Sequence, residues 1–162
     1  NFGINATGRS FHWSQLPREV GRGLPRPPST LSPNTRKTIV DLWPRVKEIM
    51  IKGNYLALPL RRLVDGLGRT RLDDKIADYS IGLEALLTEG ERQELGYRFA
   101  LRGATILQEG GADRHRSFDE LKDLYNARSA IVHGASTAKF QLAVISSNGE
   151  QLLRNIWQWY YD

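Results

Sequence analysis

The stretch from Leu72 to Leu87 leaves this chain few ways to fold. Leu72, Ile76, Tyr79, Leu83 and Leu86 recur at spacings of four and three, and Ala77, Ile81 and Leu87 widen the stripe. That period predicts a helix opening at Arg71 or Leu72 and closing by Thr88. Asp73 and Asp74 fall in its first turn, where carboxylates suit the helix dipole. A helix apolar on so many sides must be covered on most of them, which places it in the middle of a helical bundle. Glu84 lies among these apolar neighbours: either it sits on the exposed edge of the helix, or it is enclosed and needs a cation or several donors. Arg98, Arg102 and Arg128 are the candidates.

Other segments repeat the helical period. Ser32 and Pro33 mark a helix start. Ile39, Val40, Trp43, Val46, Ile49 and Met50 carry that helix, with Pro44 inside it, to Gly53-Asn54. A shorter helix is expected from Leu56 or Pro59 to Val64, stopped by Gly66 and Gly68. Glu91 to Gln108 forms another, and Ser117 is expected to cap the next. Lys139 to Ile145 fits helix or strand, Ser147-Asn148-Gly149 interrupts it, and a last helix begins near Glu150. The expected fold is all-α: an antiparallel bundle of five to six helices over residues 32–162. Residues 1–31 hold the run Pro25-Arg26-Pro27-Pro28 and read as an extended Pro/Gly-rich linker or arm. The arginines of that arm (Arg9, Arg18, Arg22, Arg26) read first as charges on a solvated linker and second as contacts to a nucleic-acid backbone.

The 162 residues suffice for one domain with a core. No cysteine is present, which excludes disulfides and thiolate metal sites and fits a reducing, cytoplasmic setting. No apolar run approaches membrane-spanning length. The chain opens on Asn1, not Met, and is read as a fragment. A net charge of +5 and a pI near 9.7 favour polyanionic partners, RNA among them. Phosphate-binding glycine loops and paired zinc-ligand histidines are absent. Asp74 and Asp78 share a helix face and offer at most a weak divalent-ion site. No cofactor and no metal are expected.

The chemistry concentrates in Arg128-Ser129-Ala130-Ile131-Val132-His133-Gly134. A permanent cation and a side chain that titrates near neutral pH sit five residues apart at a predicted helix end, and Gly134 supplies the left-handed stop. On a regular helix the two side chains stand roughly 140° apart. They converge only if the helix unwinds before His133 or a second chain supplies the other half.

Three segments together resemble the HEPN superfamily, and within it the ApeA-like group. They are Arg71–Leu87, Glu94–Arg102 and Leu121–Gly134. The resemblance spans about Ser32 to the C-terminus, and its most specific part is the Arg-x4-6-His signature, carried by Arg128 and His133. It implies a two-fold homodimer and a metal-independent endoribonuclease of anti-phage, abortive-infection or toxin–antitoxin type, with an antitoxin or a preceding domain as a further partner. Arg128 and His133 would be catalytic. Ser129 and Asn126 would contact phosphate or orient the histidine, and Glu84, Arg102 and Arg98 would be structural near the site. Leu124 and Ala135 stand where some subfamilies carry an acid and a tyrosine. The alternatives are a non-catalytic HEPN module that binds RNA, a nucleotide or a protein, and a helical dimerisation domain without a ligand.

Overall fold

The computed structural model describes residues 2–4, 10–12, 32–88, 94–107 and 111–161. They contain a short strand pair and six helices. Phe2–Ile4 (β1) and Ser10–His12 (β2) pair antiparallel, with Gly3 opposite Phe11. The arm's arginines lie outside the described residues. The helices are Pro33–Lys52 (α1), Ala57–Gly68 (α2), Leu72–Leu87 (α3), Leu95–Leu107 (α4), Gly111–Val132 (α5) and Leu142–Tyr161 (α6). The chain divides into two compact units, Asn1–Ile39 and Val40–Asp162. No helix among the described residues is long and apolar enough to cross a membrane.

In the second unit α3 is the central element, packed by α2, α4, α5 and α6. Ile76, Tyr79, Leu83 and Leu87 are fully buried on it, as the apolar stripe predicts. Phe99, Leu121, Leu124, Leu153 and Ile156 close the core around them. Trp157 Nε1 donates to the Leu56 carbonyl at 3.1 Å and Tyr160 Oη to that of Leu86 at 3.0 Å. These two bonds tie α6 to the turn before α2 and to the end of α3.

Three expectations about helix ends are overturned. Gly66 does not stop α2, which runs on to Gly68. A Cβ on Gly66 would lie 2.3 Å from Tyr79 Cε1, so its missing side chain lets α2 approach α3. Gly149 does not interrupt α6, because its bare backbone admits Leu124, whose Cδ1 would lie 2.9 Å from a Cβ there. Gly111 opens α5 at φ +72°, so Ser117 lies buried inside the helix and does not cap it. The apolar stripe of α1 is also mostly unburied. Ile49 is in the core, but Val40, Trp43, Met50 and Ile51 are exposed, since no helix among the described residues packs along them.

Gly66→Ala is expected to destabilise the domain by about 1–3 kcal/mol in denaturant unfolding. Overpacking against an immobile Tyr79 outweighs the roughly 1 kcal/mol gained in helix propensity. An unchanged or higher midpoint would show that Tyr79 can yield.

Candidate functional site

The C-terminus of α5 is built by Gly134. At φ +67° it turns the chain out of the helix, and a left-handed stop of that kind suits a residue without Cβ. The Ala135 amide reaches back to the Ala130 carbonyl (2.8 Å) and the Gly134 amide to that of Ile131 (3.2 Å), the paired bonds of a Schellman motif. His133 still donates its amide to Ser129 at 3.1 Å, so helical geometry persists to the histidine. Its side chain is exposed on the corner so formed.

Arg128 faces the bundle instead. Its Nη2 donates to Glu84 Oε2 across α5 and α3 at 3.3 Å, and the side chains are 26% and 25% exposed. Of the three cations named for Glu84, this is the one that reaches it. The bond is single and leaves Glu84 Oε1 and Arg128 Nε buried without partners. Burial pushes the Glu84 carboxyl above the usual carboxylate range, and Arg128 opposes this only in part. Desolvation therefore exceeds attraction here, as it often does for enclosed ion pairs.

Arg102 closes the end of α3. Its Nη1 donates to the Leu87 carbonyl at 2.8 Å, satisfying one of the acceptors a helix C-terminus leaves open. Arg98 approaches Glu94, the residue just before α4, at 4.0 Å. Asn126 is exposed and Ser129 half-buried. The structure thus brings Glu84 and Arg128 together, with Arg102 one turn along α3. Arg128 and His133 stay on different faces of a regular helix, about 7.5 Å apart along its axis.

The sequence also points to an Asp74/Asp78 pair, and the structure redirects it. Asp78 is not a solvated acid: its side chain is 5% exposed. It accepts from Arg62 Nη1 at 3.0 Å and from Arg69 Nε at 2.8 Å, which clamps α2 to α3. Its oxygens are therefore engaged with two guanidinium groups. No group of three or more potential metal ligands occurs among the described residues.

Glu84→Gln is expected to remove a specific pH dependence. With its folded pKa raised, Glu84 binds a proton in the native state at pH values where the unfolded chain, near 4.5, has lost it. The penalty for its charge is fully present above the folded pKa and is relieved as pH falls through that value towards 4.5. The melting temperature of wild type relative to Glu84→Gln should therefore rise on acidification through this window. A difference that stays flat with pH would remove the assignment.

Scanned against protein-family models, curated proteins and solved structures, the chain finds no match in any of the three.

Proposed function

We propose that the chain is a HEPN-type, metal-independent endoribonuclease of microbial defence, whose active site is completed by a second copy. The observation that carries the reading is the end of α5. A guanidinium and an exposed imidazole occupy one helix terminus, on a helix too regular for one chain to aim both at the same atom. A two-fold axis passing this corner would give one cleft two of each.

The reaction needs only those groups. An imidazole takes the proton of a ribose 2′-OH as its oxygen attacks the adjacent phosphorus. The bond to the 5′-oxygen breaks, and a second imidazole, protonated, gives that oxygen its proton. The products are a 2′,3′-cyclic phosphate and a 5′-hydroxyl. Arg128 would neutralise the charge growing on the phosphoryl oxygens with a planar pair of donors. Before RNA binds, Glu84 occupies that guanidinium through one long bond, and a phosphate would take its place.

The same bond favours a second reading, in which Arg128 is a structural cation and the domain binds RNA without cutting it. RNA cleavage in EDTA, followed as protein concentration is lowered, tests the proposal. Specific activity should fall as dimers dissociate. Intact RNA at all concentrations, with RNA bound, selects the second reading, and activity in a strict monomer refutes the shared site.

A further inference from the structure

The seam between α5 and α6 holds two adjoining cavities of about 550 and 500 Å³. Glu120 and Asn148 line both, so the two form one groove. On α5 it extends from Asp113 to Asn126, about 20 Å at the helical rise. Its near end is at Asn126, about 200° around α5 from Arg128, which faces α3.

The lining is unusual in its chemistry. Five carboxamides face the groove: Asn126, Gln141, Asn148, Gln151 and Asn155. Gln151 and Asn155 bond each other at 2.9 Å, while the side chains of Asn126, Gln141 and Asn148 make no hydrogen bond among the described residues. The far end carries Trp159, 57% exposed. Three carboxylates (Asp113, Glu120, Asp123) outnumber two cations (Arg116, Lys139), although the chain as a whole is basic. Glu120 is partly neutralised by Arg116 Nε at 3.2 Å.

Such a surface disfavours phosphates but matches base edges. Carboxamides present a donor and an acceptor side by side, as bases do, and a carboxylate accepts from exocyclic amines. An exposed indole offers a stacking platform for any base. We infer that the α5–α6 groove takes the bases of single-stranded RNA, with the sugar–phosphate backbone turned outward. At about 3.4 Å per stacked nucleotide the groove would hold on the order of half a dozen. The inference rests on the ribonuclease reading for its substrate class, but binding in the groove does not require cleavage.

The test uses an uncleavable 2′-O-methyl octanucleotide of mixed sequence, and an abasic oligomer of equal length, at low salt. The wild-type chain should bind the first more tightly. Trp159→Ala and Asn148→Ala should each weaken it by roughly 5- to 150-fold, the range for loss of one base stack and of one bidentate base contact respectively. The abasic oligomer should not distinguish them from wild type, and Arg128→Ala should keep the preference for bases. Equal binding of the two oligomers, no binding of either, or insensitivity to both substitutions overturns the inference. So does a basic extended peptide that binds the groove where the octanucleotide does not. Base-dependent binding without any cleavage in EDTA would sink the nuclease and leave the groove standing. Cleavage with no dependence on Trp159 or Asn148 would do the reverse.

Discussion

His133→Ala is expected to lower the rate of RNA cleavage in EDTA by about 10²- to 10⁴-fold, the usual worth of one positioned proton-transfer group. Arg128→Ala should cost about as much, because it removes preorganised charge from the transition state. The two variants differ in how cleanly they can be read. His133 is exposed and its amide, not its ring, closes the helix, so its removal should leave the melting temperature within a degree or two of wild type. Removing Arg128 strands Glu84, which is already disfavoured as a charge. Arg128→Lys resolves this by keeping the cation near Glu84 while losing the fork that matches two phosphate oxygens. It should remain folded and still lose most of its activity. Activity that survives His133→Ala and Arg128→Lys together would remove the catalytic assignment altogether.

Phe99→Ala should be among the most damaging changes to the fold. Phe99 is wholly buried on α4, its ring 5.6 Å from that of Tyr125 on α5. Deleting a buried phenyl ring costs about 3–5 kcal/mol in lost transfer energy and residual cavity. That is a large share of the 5–15 kcal/mol that holds a typical domain together. In urea the midpoint should fall steeply while the slope is kept. A loss below about 1 kcal/mol would mean that α4 packs elsewhere.

How far the sequence speaks depends on where its signals are answered. Leu72 to Leu87 answers itself: the stripe, the first-turn acids and the end at Thr88 are local, and α3 appears where they place it. Ser32-Pro33, Gly53 and Gly134 are local in the same way. Gly66 and Gly149 are not. A glycine that ends a helix and one that admits a neighbouring helix look alike until Tyr79 and Leu124 are brought beside them. Asp78 could not be assigned either, because its two arginines lie 16 and 9 residues away on another helix and its cap. Glu84 was narrower, since an acid among apolar residues demands a cation and few arginines could reach it. The α5–α6 groove was hidden for the opposite reason. Its carboxamides come from two separate helices and the turn between them, and each alone looks like an ordinary surface residue.

The dependence of the core on α6 has a consequence for synthesis. Leu153 and Ile156 are fully buried, and Trp157 and Tyr160 hold distant carbonyls. Until these residues clear the ribosome tunnel, α3 has an open flank and the domain cannot finish folding. A nascent chain would thus be unable to complete the bundle before α6 emerges.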